Sequence, residues 1–297
     1  MNPIVAAISF LVLSLPIVAG VSQADQGTPA EQYAALLREY RPVSGGMRKA
    51  KTDLQRKAAV ELLATFPRKF VELAENNPQD PIVLETLKQA VQAVGTTESA
   101  AQITWETNRS DFPVATVGVS AGRIVELLLR DHVQSDKLGP VCDRMRFGYR
   151  LEYEKLLLAV LEKNPHRNVQ ALACLSLAQF LNDRLRMLQL VEDRPELAEC
   201  YEIVFGKNYL AELQQLGRAN LGKRIEMLFE RAAEEYGDVQ MRGGTIGARA
   251  KSELYDIRHL GIGKVAPDID GKDQDGRQFK LSDYRGKVVL IYFWSEY

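Results

Sequence analysis

The chain has 297 residues, which is enough for two domains, and its 26% charged and 46% hydrophobic residues are typical of a soluble protein. The formal net charge of −1 predicts no basic field that would recruit nucleic acid or anionic lipid. The sequence contains no P-loop, zinc cluster or dinucleotide fingerprint, so we expect no small-molecule cofactor.

The N-terminus carries an apolar segment. Residues Ile4 to Val21 form an uncharged run, and Ser22-Gln23-Ala24 follow it. This pattern predicts a signal peptide, residues 1–24, that is cleaved after Ala24. The protein is then exported, to the periplasm or another extracytoplasmic compartment. A single membrane anchor is the alternative, because the run is just long enough to span a bilayer; Pro16 and the small residues favour cleavage.

Residues 25–260 show a mostly helical pattern. In the predicted helix Lys51 to Ala64, Leu54, Ala58 and Leu62 recur four residues apart and give the helix one apolar face. Between Thr104 and Ser120 the periodicity breaks, which predicts a loop between two helical blocks. Further helices are predicted from Phe70 to Glu75, from Asp80-Pro81 to Val94, from Leu151 to Lys163, from Val169 to Asn182, after Asp193-Arg194-Pro195, and from Leu221 to Tyr236.

Two of the predicted helical hairpins are alike. The segments Glu75 to Val91 and Glu162 to Ala178 share an E-x-N-P motif followed by an apolar helix. Helix pairs interrupted by Asn-Pro resemble HEAT or tetratricopeptide arrays, in which each hairpin buries its face on the next, although neither consensus is met. The sequence therefore predicts a mainly α fold, a HEAT/TPR-like array of helical hairpins over residues 25–260.

The cysteines and histidines form no recognisable site. Cys174 lies within an apolar helix face, so we expect it to be a buried small residue. Cys142 and Cys200 would be able to form a disulfide in an exported protein, but the odd total leaves this open. No C-x-x-C motif joins any of them. The isolated histidines predict surface or capping roles and no metal site; they are His132, His166 and His259.

The last residues, Gly263 to Tyr297, have a different pattern. Asp275-Gly276 predicts a turn between two short strands, around Ile269 and around Phe279. Leu281 to Gly286 predicts a short helical turn closed by glycine. The run KVVLIYF, Lys287 to Phe293, predicts a strand buried on both faces.

This ordered set of motifs resembles the exported thiol-disulfide oxidoreductases of the TlpA type, within the redoxin family. The shared order is A-P, D-x-D-G, F-x-L-S-D-Y-R-G-K-V-V and F-W-S-x-Y. The resemblance implies that residues 261–297 are the first part of an incomplete α/β thioredoxin-like domain. In that family C-x-x-C follows the F-W motif directly, so we expect this chain to be a fragment that stops just before its catalytic cysteines.

The resemblance also implies which residues flank the active site, namely Pro267, Trp294, Ser295 and Tyr297. Trp294-Ser295 favours disulfide exchange, because a peroxidase of this superfamily more usually has F-Y-P before its cysteine. A catalytic thiolate at a helix N-terminus is stabilised by the partial positive charge there. The implied partners are protein thiols and disulfides.

Three functions follow from the sequence. The first is an exported thiol-disulfide oxidoreductase whose helical N-terminal domain, residues 25–260, binds a protein partner; the 297-residue chain itself would have no dithiol activity. The second is a helical-repeat interaction scaffold without catalysis. The third is a peroxiredoxin-type peroxidase, which needs a lone cysteine in the equivalent position. The residues after Tyr297 would discriminate among the three.

Overall fold

The structure, a computed structural model of the chain, describes residues 27–108, 115–261 and 263–292. It is mainly helical, as predicted. The predicted signal peptide, residues 1–24, lies outside the described residues. None of the helices within the described ranges combines the length and the apolarity that a bilayer crossing requires.

The helices and strands are as follows. Helices α1 to α6 are α1 (Pro29–Gly46), α2 (Asp53–Leu63), α3 (Phe66–Asn76), α4 (Val83–Asn108), α5 (Ala115–Leu127) and α6 (Gly139–Met145). Helices α7 to α11 are α7 (Glu152–Lys163), α8 (Arg167–Asp193), α9 (Leu197–Phe205), α10 (Tyr209–Gln215) and α11 (Arg218–Glu235). The hairpin β1 (Gln240–Met241) and β2 (Gly244–Thr245), helix α12 (Ile246–His259), and strands β3 (Asp270–Lys272) and β4 (Gln278–Lys280) complete the order.

Contacts divide the chain into two compact units. Unit 1 contains the described residues up to Asp131 together with Gly148–Arg150 and Glu199–Lys207. Unit 2 contains His132–Phe147, Leu151–Ala198 and the described residues from Asn208 onward.

Unit 1 is arranged around the long helix α4. Helices α2, α3 and α5 pack against α4, and α1 packs against α2 and α3. The core contains Phe66, Phe70 and Trp105, and the Tyr40 ring meets Phe66 edge-on at a centroid distance of 5.3 Å. Helix α1 begins with a capping box, in which the Thr28 hydroxyl accepts a hydrogen bond from the Glu31 amide at 3.3 Å.

Unit 2 is arranged around the long helix α8. Helices α6, α7, α10, α11 and α12 all pack against it, and Tyr153, Phe180 and Phe229 lie in the core.

The β1–β2 hairpin, which the sequence did not predict, leads into α12. There Gly247 approaches the Gly237 backbone so closely that a Cβ on Gly247 would lie 2.7 Å from the Gly237 Cα. A side chain at Gly247 would therefore separate the two segments.

The two E-x-N-P motifs occupy equivalent places. In unit 1 the motif connects α3 to the central helix α4, and in unit 2 it connects α7 to the central helix α8. The Asn77 side-chain amide donates to the Leu73 carbonyl at 2.9 Å, and the Asn164 side-chain amide donates to the Val133 carbonyl at 2.8 Å. Asn77 thus satisfies a carbonyl in the last turn of α3, whereas Asn164 satisfies a carbonyl of the segment between α5 and α6. In both motifs the following proline prevents the helix from continuing.

The predicted loop from Thr104 to Ser120 is wrong for most of its length. Helix α4 begins at Val83, two residues later than predicted, and continues to Asn108 instead of ending at Val94. Helix α5 already begins at Ala115, and the intervening residues 109–114 lie outside the described residues. Polar residues within α4 do not break it, because the Thr104 hydroxyl donates to the Ala100 carbonyl one turn earlier at 2.7 Å.

The predicted apolar face of α2 is also not the buried one. Leu54 is 78% exposed and Leu62 is 48% exposed, whereas Val60 and Leu63 are fully buried. Helix α2 packs with the side that carries Val60 and Leu63, so the stripe Leu54, Ala58 and Leu62 faces away from the core.

Candidate functional site

The C-terminal segment forms the predicted hairpin. Strands β3 and β4 are antiparallel, and their turn is organised by Asp273, whose carboxylate accepts the Asp275 amide at 2.9 Å and the Arg277 amide at 2.8 Å. Gly276 in this turn has a φ of 78°, a conformation that favours glycine. The paired residues are Asp270 with Lys280, Gly271 with Phe279, and Lys272 with Gln278.

The centre of the hairpin is a glycine covered by an aromatic ring. Gly271 is paired with Phe279, and a Cβ on Gly271 would lie 2.8 Å from the Phe279 Cζ. The glycine of the D-x-D-G motif is therefore needed for the ring to lie across the neighbouring strand.

An aspartate connects the start of the hairpin to the helical turn that follows it. The Asp268 carboxylate accepts hydrogen bonds from the Ser282 amide and the Ser282 hydroxyl, both at 2.8 Å. These hydrogen bonds lower the pKa of Asp268. The Lys280 amide donates to the Asp283 carboxylate at 2.8 Å and begins the 3₁₀ turn Leu281–Tyr284. The sequence motifs contained these residues, but sequence spacing alone did not show the Asp268–Ser282 contact.

The prediction of a buried strand from Lys287 to Phe293 is wrong for residues 287–292, and Phe293 lies outside the described residues. The described part forms no strand. Val288 is fully exposed, Leu290 is 93% exposed and Tyr292 is 81% exposed. An apolar, β-branched run is solvent-exposed here, because no neighbouring strand in the described part of the chain covers it.

The structure describes only one of the four predicted flanking residues. Pro267 is half-buried, next to Asp268. Trp294, Ser295 and Tyr297 lie outside the described residues, so the predicted arrangement around an active site stays a prediction.

All three cysteines are buried, and no disulfide joins two of them in the part of the chain that the structure describes. Burial raises the pKa of both Cys142 and Cys174 to about 12. The Cys174 thiol donates to the Leu228 carbonyl at 3.4 Å, and its predicted role as a buried small residue is confirmed. A thiolate is the reactive form of cysteine, and both thiols are protonated at neutral pH.

The histidines are separate in the structure. His166 is the N-cap residue of α8, and His259 lies in the last turn of α12, with its ring 4.7 Å from that of Tyr255. His132 ends a π-helical turn after α5. Over residues 27–108, 115–261 and 263–292, no three His, Cys, Asp or Glu side chains are grouped so that they could hold a metal ion.

Two polar clusters, one buried and one partly buried, were missed by sequence reasoning. In unit 1, Arg150 forms an ion pair with the fully buried Glu98 and donates to the Phe205 carbonyl at 3.1 Å. In unit 2, Arg146 donates to the Gln179 side chain at 2.9 Å, and Gln179 donates to Glu253 at 3.0 Å. Each cluster joins residues far apart in sequence, and its contacts stabilise the packing within its unit.

The comparisons with known proteins concern mainly the C-terminal segment. Residues 262–297 match the AhpC/TSA family. The peroxiredoxin Bcp of Bacillus subtilis (strain 168) is 46% identical over 35 residues, which are 12% of this chain and 22% of that protein. The matched segment thus spans about a fifth of the length of this curated relative. The C-terminal segment is therefore redoxin-like.

One solved structure, a DHF58 filament, matches 77% of this chain and 94% of its own chain with 16% sequence identity and a TM-score of 0.31. This TM-score is too low to support an argument about the fold or function of the helical units.

Proposed function

We propose that the protein to which this chain belongs is an exported thiol-disulfide oxidoreductase, of the TlpA type within the redoxin family, whose helical units bind a protein partner. The observation that carries the proposal is the redoxin match over residues 262–297, together with the hairpin that these residues form. The Asp268–Ser282 hydrogen bonds hold this hairpin to the following turn. The proposed site lies after that turn, beside Trp294, Ser295 and Tyr297.

The choice of disulfide exchange rests on Trp294-Ser295. The thiol chemistry would require a thiolate with a low pKa and a second cysteine one helical turn away that resolves the mixed disulfide. Cys142 and Cys174 do not fit this role, because burial raises the pKa of each thiol to about 12. The proposed partners are protein thiols and disulfides. They would react at a site that does not include Cys142 or Cys174.

A second candidate is a peroxiredoxin-type peroxidase. The observation that favours it is the 46% identity to a peroxiredoxin over 35 residues. A peroxidase needs one reactive thiolate, which attacks the peroxide and becomes a sulfenic acid. The two candidates share the redoxin-like segment and differ in the cysteines that their active sites require.

The coding sequence beyond the codon for Tyr297 tests the proposal. A C-x-x-C motif directly after Tyr297 is the result expected for disulfide exchange. A single cysteine in the equivalent position would support the peroxidase. A stop codon would overturn both and would favour a helical interaction scaffold without catalysis.

A further inference from the structure

The exposed face of α2 has the composition of a binding surface. Leu54, Ala58 and Leu62 lie one helical turn apart on this face and are all exposed, with Leu54 at 78%. The opposite face of α2 carries Val60 and Leu63 into the core of unit 1. Leu62 is partly covered, with 48% of its surface exposed. Exposure of the remaining leucine surface to water is unfavourable, and its burial in an apolar phase would be favourable.

Positive charge is concentrated around this stripe. Residues 38–62, which include the whole stripe, contain seven Lys or Arg residues and three acidic residues, while the whole chain has a net charge of −1, so the rest of the chain is net acidic. Two of the acidic residues pair with cations: Glu39 with Lys69 at 3.2 Å and Asp53 with Arg56 at 2.6 Å. The third, Glu61, is exposed on α2 beside Leu62. Five cations of this region make no ion pair with any described residue, namely Arg38, Arg41, Lys49, Lys51 and Lys57.

The cations nearest the stripe are fixed by the start of α2. The Lys51 amide donates to the Gln55 side chain at 2.9 Å, so Lys51 lies against the first turn of the helix. Lys57 is three residues after Leu54 on the same helix and therefore a neighbour of that leucine on its surface. The 3₁₀ turn that ends at Lys49 contacts both α1 and α2. We define the basic-apolar face as Leu54, Ala58 and Leu62 with Lys49, Lys51 and Lys57.

We propose that the basic-apolar face binds the surface of a bilayer that contains anionic phospholipids. A helix with an apolar stripe and flanking lysines lies in the interface, where its leucines enter the acyl boundary and its ammonium groups reach the headgroup phosphates. A polyanion such as nucleic acid would pair with the lysines and leave the leucines in water. The bilayer satisfies both parts of the face. The net charge of −1 does not reveal this face, because it averages the local cluster of cations with the acidic remainder of the chain.

A fluorescent probe on the stripe tests the proposal in the full chain. The variant Leu54→Cys carries an environment-sensitive nitrobenzoxadiazole label, which the buried native cysteines do not take up under native conditions. The matched control is Val119→Cys, because Val119 is a helix residue of unit 1 that is 76% exposed. The probe reports local contact, so the result does not depend on whether residues 4–21 tether the chain to the vesicle.

We expect vesicles of phosphatidylcholine and phosphatidylglycerol to increase and blue-shift the emission at residue 54 and to leave residue 119 unchanged. Vesicles of phosphatidylcholine alone should give no shift. In the labelled background, Lys51→Gln with Lys57→Gln should weaken the apparent affinity at least about tenfold, because each lysine near an anionic surface contributes to binding. Lys163→Gln with Lys207→Gln, which changes the net charge equally at exposed lysines elsewhere, should not.

Equal shifts at residues 54 and 119, no shift at residue 54, or the same shift with both lipid compositions would overturn the proposal. Double-stranded DNA that bound the unlabelled chain more tightly than the anionic vesicles would also overturn it and would identify the face as a polyanion site.

Discussion

Cys142 lies in α6 and Cys174 in α8, and both side chains are removed from water. Burial raises the pKa of each thiol to about 12, so each is protonated at neutral pH. We expect the cysteines of the native chain to react with dithionitrobenzoate orders of magnitude more slowly than the same cysteines in 8 M urea at equal pH. Rapid reaction of one thiol in the native chain would show that a cysteine is accessible and would reopen its role in chemistry.

Replacement of Glu98 should strongly lower the stability of unit 1. Its carboxylate is fully buried and paired with Arg150, so Glu98→Gln would leave the guanidinium without a counter-charge in the core. We expect the free energy of unfolding to fall by about 3–5 kcal/mol, measured by urea denaturation.

Glu72→Gln is the matched control for Glu98→Gln. Glu72 pairs with Arg68 at 3.0 Å on the surface of α3, and both side chains are exposed. Its replacement should cost less than about 1 kcal/mol. Equal effects of the two substitutions would mean that the Glu98–Arg150 pair is not as buried in solution as it is in the structure.

Among the elements, the hairpin of the redoxin-like segment should depend on pH. The folded state lowers the pKa of Asp268, chiefly through the Ser282 hydroxyl. The contribution to stability is therefore fully present above the ordinary carboxylate pKa of about 4 and is lost as the pH falls through the lower folded pKa. We expect amide exchange at Ser282, corrected for its intrinsic pH dependence, to lose protection over this acidic range.

Asp268→Asn is the variant that checks this pH dependence. It removes the titrating group, so protection of the Ser282 amide should be lower at neutral pH and should no longer change between pH 5 and pH 2. An unchanged acid transition in this variant would assign the titration to another carboxylate.

The apolar run after the hairpin should exchange quickly. Val288, Leu290 and Tyr292 are exposed and belong to no strand, whereas Leu172 to Phe180 lies within the central helix of unit 2. We expect amides of residues 288–292 to exchange orders of magnitude faster than those of residues 172–180, measured by mass spectrometry. Comparable protection in a monomer would show that residues 288–292 are paired in solution.

Element boundaries were predictable where proline or glycine fixes them. Helix α7 ends at Lys163, before Asn164-Pro165, and the β3–β4 turn contains Asp275-Gly276, both as predicted. The full length of α4 was not predictable. Glu98 and Thr104 disfavour a buried helix unless their polar groups have partners, and these partners, Arg150 and the Ala100 carbonyl, are seen only in the structure. The first of these partners is 52 residues away in sequence.

The face of α2 shows a second limit of sequence reasoning. Leu54, Ala58 and Leu62 form one regular stripe, and Val60 and Leu63 form another, so periodicity allows either to face the core. Packing against α4 selects the second stripe. The active-site residues beyond Pro267 were proposed only from a family resemblance, and of these the structure describes none.

For the whole molecule, the division into units does not follow the order of the chain. Gly148–Arg150 and Glu199–Lys207 belong to unit 1, although segments of unit 2 flank them in sequence. A fragment of residues 27–131 would therefore bury Glu98 without Arg150. We expect this fragment to show no cooperative thermal unfolding by circular dichroism, whereas the full chain does. A cooperative transition of the fragment at the temperature of the full chain would show that unit 1 does not need the two distant segments.

We have proposed that the redoxin-like segment belongs to a thiol-disulfide oxidoreductase. The most direct test is the reduction of insulin by dithiothreitol in the presence of the protein translated from the whole reading frame, with the 297-residue chain as the matched control. We expect the 297-residue chain to leave the rate of insulin precipitation at its uncatalysed value, since Cys142 and Cys174 are buried thiols, and the protein from the whole reading frame to accelerate it. Equal rates for the two proteins, or acceleration by the 297-residue chain that is lost on replacing Cys142 or Cys174, would contradict it.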